Sequence, residues 1–439
     1  MLNIAESGKV KQDKNHKDAT KERLPFQLLD SEVKKNTFSL LSSGVADRRI
    51  YLDYAASTPI DKEVFRTMLP YFGLDYSNPS SVHTSGRKAK RIIENARIDI
   101  SKIINSNDNE IIFTSGGTEA NNLAILGFAR ANRQNGNHII ISSIEHKSII
   151  EAVNQLEKEG FEISFMPVDN FGRIKIEECL TLITTKTILI SVMYVNNEIG
   201  TIQPIKELSE RIKNETPFKP LIHTDACQAA NLFSLDVKDL GVDLMTINSS
   251  KIYGPAGIGL LYKRNDIKLH PIVFGGGQER GLRSGTESIA NIFGFSLALT
   301  KAQENRKEEY ERLKSLQKYF VEELEELIPN ILINVPLEFR SPSITHVTVP
   351  YIEGESMLLK LDNLGIEVST GSACSSNDLK PSYVLLAIGQ DVKLIHGSLR
   401  FSFGRHTTKE DIDRVLNIFP KIVEDLTQMS ALTLKIYER

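Results

Sequence analysis

The sequence predicts an α/β protein built on a mainly parallel sheet, with a second, smaller α+β domain beyond it. Three observations lead there. From Ile50 onward, short apolar runs alternate with helical patterns, the arrangement of successive βα units. Most of those runs lack polar alternation, as strands do when both faces of their sheet are covered. After about Asn305 the texture changes: Tyr310, Leu313, Leu316, Phe320, Leu324 and Leu327 recur at three- and four-residue steps, marking a long amphipathic helix. Shorter strand and helix signals follow it.

The chain has 439 residues, 41% hydrophobic and 25% charged. That is enough for one large core and a smaller one, since single cores stop growing beyond roughly 250–300 residues. A formal charge of -3 gives no electrostatic reason to expect nucleic acid or a membrane surface as a partner. No apolar run approaches the roughly 18 residues of a spanning helix; the strongest is Thr187 to Val195. The first residues lack an apolar signal-peptide core, and Glu6, Asp13, Asp18 and Glu22 argue against an acid-poor transit peptide. The three cysteines, Cys179, Cys227 and Cys374, are odd in number and widely spaced. Neither a disulfide framework nor a metal motif is expected, and a cytoplasmic protein with reduced thiols is.

Residues 1–48 are rich in Lys, Asp, Asn and Ser and read as a flexible extension. Strands are expected at Ile111–Thr114, His138–Ser142, Ile163–Val168, Thr187–Tyr194, Leu221–Thr224, Asp243–Ile247 and Gly259–Tyr262, with helices between most of them. Residues 63–305 then form the large domain, and 49–62 join 306–439 in the small one. No internal repeat is visible.

Several strand ends carry residues suited to chemistry. Ser115-Gly116-Gly117-Thr118-Glu119 follows one strand and opens a helix. Small residues there let backbone N–H groups approach an anion, although many such turns are glycine-rich for steric reasons only. Asp225 sits at the C-terminal end of an apolar run, where a carboxylate can pair with a pyridinium nitrogen or simply cap a helix. Lys251, in Asn248-Ser249-Ser250-Lys251, can attack an aldehyde if its amine is partly desolvated; alone it reads as a turn lysine. His146 could stack on a flat ring or move a proton, or cap a helix. Asn197 follows the Thr187 run and offers an amide to a ring hydroxyl or a carboxylate. Gly275-Gly276-Gly277, with Arg283 and Thr286 nearby, suits an anion or a hinge. Arg400 alternates with apolar residues and presents a bidentate fork for a carboxylate, or a structural ion pair. Cys374 sits in a run of small residues, Ser369 to Asn377, as an accessible reactive thiol would. Cys179 and Cys227 are expected to be structural.

These segments together resemble the NifS-type cysteine desulfurases, in the class V, aminotransferase-like family that binds pyridoxal 5'-phosphate (PLP). The resemblance runs from about Ile50 to Ile422. It rests on the order Tyr51-Leu52-Asp53-Tyr54-Ala55-Ala56, Thr114 to Glu119, Glu145-His146-Lys147, Val195 to Gly200, Asp225-Ala226-Cys227-Gln228, Lys251 to Pro255, Arg283 to Thr286, and Gly371-Ser372-Ala373-Cys374. It implies a fold type I large domain. Lys251 would carry PLP as a Schiff base, Asp225 would face the ring nitrogen, Gln228 the ring hydroxyl, and His146 would stack over the ring. Gly117, Thr118, Asn248 and Ser250 would surround the phosphate. Thr286 would reach the phosphate of a partner subunit, so a homodimer is implied. Asn197 and Arg400 would hold the carboxylate of the substrate, L-cysteine.

The resemblance further implies that the Cys374 thiolate takes the substrate sulfur as a persulfide, leaving alanine. The sulfur then passes to an acceptor protein of the scaffold or tRNA-thiolation type, for iron–sulfur cluster assembly or tRNA thiolation. The sequence departs from the family at Ser250, where His is usual, and at Pro255-Ala256. It ends at Arg439 without the longer tail that housekeeping members use to dock a scaffold protein, which puts that usual scaffold partner in doubt. Other PLP reactions on the same fold, such as selenocysteine cleavage or aminotransfer, and a non-catalytic binding subunit remain alternatives.

Overall fold

The structure, a computed structural model, describes residues 49–370 and 381–429. The expected extension 1–48 and the segment carrying Cys374 lie outside the described residues. Twelve strands lie within them: β1 (Ile50–Tyr51), β2 (Ile111–Thr114), β3 (His138–Ser142), β4 (Glu162–Met166), β5 (Thr187–Ser191), β6 (Leu221–Asp225), β7 (Leu244–Asn248), β8 (Gly259–Lys263), β9 (Leu332–Ile333), β10 (Ile344–Thr348), β11 (Ile366–Glu367) and β12 (Ser398–Ser402).

Strands β2 to β8 form one sheet in the order β2-β8-β7-β6-β5-β3-β4. The pairs β7–β6, β6–β5, β5–β3 and β3–β4 are parallel, and β8 runs against both its neighbours. The sheet is thus mainly parallel, as expected. Strands β2, β3, β5 and β8 are buried along their whole length, which is why they read as unbroken apolar runs. Alternate residues still face opposite ways. Ile139, Ile141, Leu189 and Leu244 pack into one core, while Ile140, Ile190 and Met245 pack into the core on the other face.

Apart from β8, every strand of this sheet runs in the same direction. Their C-terminal ends therefore gather along one edge, where an open α/β sheet offers its ligand crevice. The turns leading to Gly117, His146, Asn197, Asp225 and Lys251 all leave from that edge.

A third core joins Ile50 and Leu52 to Leu313, Phe320, Leu324, Leu399, Phe401, Phe403, Ile412 and Phe419. The ring of Phe320 meets those of Phe401 and Phe403 edge-on, with centroids 5.1 and 5.4 Å apart. An antiparallel sheet, β12-β10-β9, and a parallel pair, β1–β11, flank it.

Two expectations need adjustment. The long helix does not begin near Asn305: it spans Ile289–Leu327, 39 residues or about 58 Å, and crosses the change of texture without a break. Its first part, including Ile289, Ile292, Phe295, Ala298 and Leu299, is buried, so no one-sided stripe reveals it. The run expected to be strand as far as Tyr194 leaves the regular ladder after Ser191, although Val192 and Tyr194 still donate to the His223 and Asp225 carbonyls at 3.0 and 2.9 Å. Among the described residues, no helix is long and apolar enough to cross a membrane.

Candidate active site

The first turn at the ligand edge is shaped by glycine. Gly116 has φ 154° and ψ -177°, a region that essentially only glycine occupies. A Cβ on Gly117 would sit 2.9 Å from Cys227 Sγ and 3.5 Å from Asn248 Cβ. The helix beginning at Gly117 thus presents its first N–H groups beside Asn248, and those groups have no acceptor within the helix. Glu119 steadies the turn: its carboxylate accepts from the Ser115 N–H at 2.9 Å and from Arg283 Nε at 2.9 Å. Thr118 is exposed on the same turn.

Asp225 lies at the end of β6 and is buried. One carboxylate oxygen accepts from the Cys227 N–H at 2.9 Å, the other from Asn121 Nδ2 at 2.7 Å. The same Asn121 nitrogen donates to Ser148 Oγ at 2.9 Å, and Ser148 Oγ lies 2.8 Å from His146 Nδ1. Two predicted residues, Asp225 and His146, are therefore joined through two that sequence reasoning missed. His146 also caps the helix Lys147–Lys158. Two residues back from Asp225, His223 bonds Ser191 Oγ and Thr246 Oγ1 on the neighbouring strands, and burial pushes its imidazole down to about 4.

Lys251 and Gln228 converge on one point. Lys251 Nζ donates to the Ala55 carbonyl at 2.8 Å and to the Ala56 carbonyl at 2.5 Å, and Gln228 Nε2 donates to the Ala55 carbonyl at 2.9 Å. Ala55 and Ala56 belong to the Tyr51–Ala56 motif, to which the sequence reading assigned no role. Ser250 donates its N–H to Asn248 Oδ1 at 3.4 Å, and its carbonyl accepts from the N–H and hydroxyl of Thr58 at 2.9 and 3.0 Å.

The other side is built from distant parts of the chain. Arg400, on β12 and buried, donates from one Nη to the Asn197 carbonyl at 2.8 Å and from the other to Asp53 Oδ1 at 2.7 Å. Its Nε has no hydrogen-bond partner among the described residues. The structural ion pair and the carboxylate fork therefore coexist: Asp53 occupies part of the guanidinium and leaves donors to spare. His346 faces Arg400 across the ladder, and burial and that charge push it down to about 3. Next to Asn197, the buried carboxyl of Glu198 accepts from Ser382 Oγ at 2.6 Å. Burial raises it to about 7, against the opposing pull of that bond and of Arg400, Lys147 and His146. Glu145, fully enclosed, accepts from the Met193 N–H at 2.6 Å and is raised well above the usual carboxylate range by burial.

Ser369 and Tyr383, described residues on either side of 371–380, both bond to this side. Ser369 exchanges backbone hydrogen bonds with Arg400, and Tyr383 Oη donates to the Glu145 carbonyl at 2.6 Å. Cys374 itself lies outside the described residues. Thr286 is exposed on the Gly275–Thr286 loop. Burial pushes the Cys179 thiol up to about 12, and burial together with Asp225 pushes the Cys227 thiol well up. Neither is suited to act as a thiolate. Among the described residues no group of three or more His, Cys, Asp or Glu side chains could hold a metal ion.

The residues present fit PLP. The Gly117 cradle that a Cβ would fill leaves N–H groups for a phosphate, and Asp225 supplies a fixed carboxylate for a ring nitrogen. Comparison with known proteins agrees. The family model Aminotransferase class-V matches residues 50–415. The cysteine desulfurase IscS of Dictyoglomus turgidum is 46% identical over 383 residues, covering 87% of this chain and 96% of that relative. The cysteine desulfurase IscS of Clostridium botulinum (strain Hall) is 45% identical over 388 residues, covering 88% and 97%. A solved NifS-like protein superposes with a TM-score of 0.81 at 33% identity, covering 86% of this chain and 100% of that one. The chain belongs to the class-V aminotransferase family and, within it, to the PLP-dependent cysteine desulfurases.

Proposed function

We propose that this protein removes sulfur from L-cysteine, releasing alanine and passing the sulfur by way of Cys374 to an acceptor protein. The observation that carries the reading is the gathering of His146, Asp225 and Lys251, from three separate strand-end turns, along one edge of the sheet. PLP, when bound, supplies an electron sink for the substrate Cα.

The chain's own groups do the rest. Lys251 Nζ holds the cofactor and takes the proton that leaves the substrate Cα. Asp225 pairs with the ring nitrogen, His146 stacks over the ring, and Gln228 bonds the ring hydroxyl. Gly117, Thr118, Asn248 and Ser250 surround the phosphate. Arg400 and Asn197 hold the substrate carboxylate. The Cys374 thiolate attacks the substrate sulfur: an S–S bond forms and the C–S bond breaks. The raised thiols of Cys179 and Cys227 favour Cys374 as the nucleophile.

In this reading residues 63–305 form the PLP-binding domain, and 49–62 with 306–439 form the small one. The core shared by Ile50, Leu52 and Leu313 to Val423 supports that division. The active form is a homodimer, with Thr286 reaching across to the partner's phosphate site. The side chains of Phe72, Leu74, Tyr76 and Val82, close together in the sequence, are exposed, as residues of a subunit interface would be in a single chain. The setting is cytoplasmic, where thiols stay reduced, and the sulfur serves iron–sulfur cluster assembly or tRNA thiolation.

The test is to incubate the purified holoenzyme with cysteine and measure alanine, sulfide and protein-bound persulfide. Wild type is expected to make alanine in step with persulfide. Lys251→Ala should be colourless and inactive. Cys374→Ala should keep PLP but transfer no sulfur. Wild type that contains PLP and makes no alanine would overturn the reading.

A further inference from the structure

We propose that Asn121 and Ser148 are positioning residues that fix the proton of the His146 imidazole on Nε2 and hold Nδ1 as an acceptor. The inference deepens the role given to His146 above and rests on that reading only for its consequence.

The argument runs from groups whose roles admit no choice. The backbone N–H of Ser148 can only donate, and it points at His146 Nδ1 from 3.1 Å. A ring nitrogen that accepts carries no proton, so in the neutral ring the proton is on Nε2. The hydroxyl of the same serine lies 2.8 Å from Nδ1. Because Nδ1 accepts the Ser148 N–H and carries no proton, the hydroxyl is the donor of that pair. Asn121 Nδ2 donates to Ser148 Oγ at 2.9 Å, which holds the hydroxyl oxygen in place with its own hydrogen available for Nδ1.

The orientation of Asn121 is set in turn by Asp225. A carboxylate only accepts, so the atom 2.7 Å from Asp225 Oδ2 is the amide nitrogen. Flipping the amide would place its oxygen against the carboxylate and withdraw the donor from Ser148. Asn121 Oδ1 is buried without a hydrogen-bond partner among the described residues, so it offers nothing to offset such a flip. Asn121 gives one hydrogen to each side, to Asp225 and to Ser148. The neighbouring Asn122 Nδ2 grips the Ser148 carbonyl at 3.1 Å, so the serine is held at both its side chain and its backbone.

Asn121, Ser148 and Asp225 are 1%, 8% and 6% exposed, so water competes little for these bonds. The consequence concerns how His146 can act. With Nδ1 doubly engaged, the ring offers an N–H from Nε2, a hydrogen-bond donor toward bound substrate. It cannot accept a proton at Nε2 through the other tautomer without breaking both bonds from Ser148.

The test is the 15N spectrum of the histidine-labelled holoenzyme, in which protonated and unprotonated ring nitrogens resonate apart; loss of signal in His146→Gln assigns the ring. Wild type should show Nε2 protonated and Nδ1 bare, and Ser148→Thr, which keeps a hydroxyl, should match it. Ser148→Ala should shift the tautomer ratio roughly tenfold toward Nδ1–H, the effect of one hydrogen bond. A proton on Nδ1 in wild type overturns the proposal, as does a Ser148→Ala spectrum identical to wild type. If Ser148→Ala does not fold, the wild-type assignment alone decides. Failure to form alanine from cysteine would sink the desulfurase reading and leave this assignment untouched.

Discussion

The ligand edge of the large sheet and the side built around Arg400 are held by different means. At the sheet edge many bonds span only two residues: Asp225 to the Cys227 N–H, Ser148 to His146, Ser250 to Asn248. Around Arg400 they join residues two hundred positions apart or more. Arg400 reaches Asn197 and Asp53, 203 and 347 residues away, and Tyr383 reaches Glu145, 238 residues away. The first region takes much of its geometry from turns closed at each strand end, cross-tied by longer bonds such as Asn121 to Asp225 and Lys251 to Ala55, 104 and 196 residues apart. The second exists only once the core of Leu313, Phe320, Phe401 and Phe419 has formed against the rest. Changes at the two sides should therefore fail differently, one in cofactor binding and the other in stability and substrate binding.

The largest effect should come from Arg400→Ala. Its guanidinium is buried and bonded to Asp53, whose side chain is 21% exposed. Removing one member of a buried pair costs about 3–5 kcal/mol; the partial exposure of Asp53 places the loss near the lower end. Denaturant unfolding should show it, and the KM for cysteine should rise while PLP content stays close to wild type. Loss of PLP with unchanged KM would erase the distinction between the two sides.

Glu198→Gln sharpens the same contrast through pH. Burial raises this carboxyl to about 7, above its ordinary value near 4.5. Between those values the unfolded chain releases the proton while the folded protein keeps it. Stability attributable to this group is therefore full below about pH 4.5, falls as pH rises toward 7, and is level above that. The total is on the order of 3 kcal/mol. Glu198→Gln should match wild type near pH 4.5 and exceed it increasingly toward pH 7.5, in urea unfolding series at each pH. Parallel curves at every pH would show that the carboxyl is not protonated in the fold.

The difference between the sides also explains what the sequence made legible. Strand-end turns announce themselves locally, because an apolar run stops and a small or polar residue follows. Asp225, Lys251 and His146 could be placed that way, and the parallel sheet followed from buried runs such as His138–Ser142. Asn121 could not be found so. It sits inside a helix where an Asn ordinarily faces water, and only the fold turns it toward Asp225. Asp53 and Glu198 stand in motifs that the resemblance marked, yet their partners Arg400 and Ser382 are 347 and 184 residues away. No local pattern encodes a pairing of that span. The early start of the helix at Ile289 was hidden for a related reason: a helix buried on several sides shows no stripe.

On the cofactor side, Asp225→Asn should act on binding more than on folding. Its amide can keep one bond to the Cys227 N–H or to Asn121, but the charge is gone. A charge-assisted hydrogen bond is worth about 1.5–3 kcal/mol, so the Kd for PLP should rise roughly ten- to hundredfold. The unfolding midpoint of the cofactor-free protein should move little. A large drop in that midpoint would mean that the sheet edge depends on Asp225 as the other side depends on Arg400.

The smallest effect belongs to Ser382→Ala, and its pH dependence makes it informative. Ser382 Oγ does two things: it accepts the Leu385 N–H at 3.3 Å, capping the helix Tyr383–Ala387, and it donates to Glu198 Oε2 at 2.6 Å. Loss of a cap costs about 1 kcal/mol and does not depend on the charge of Glu198. Loss of the donated bond does, because that bond favours the ionised carboxyl and holds its pKa down. The variant should lose about 1 kcal/mol at pH 5, where Glu198 is protonated in the fold, and more at pH 8, where the carboxylate loses its donor. Equal losses at both pH values would reduce Ser382 to a helix cap, and the link from this helix to the turn bearing Asn197 would then carry no charge-dependent energy.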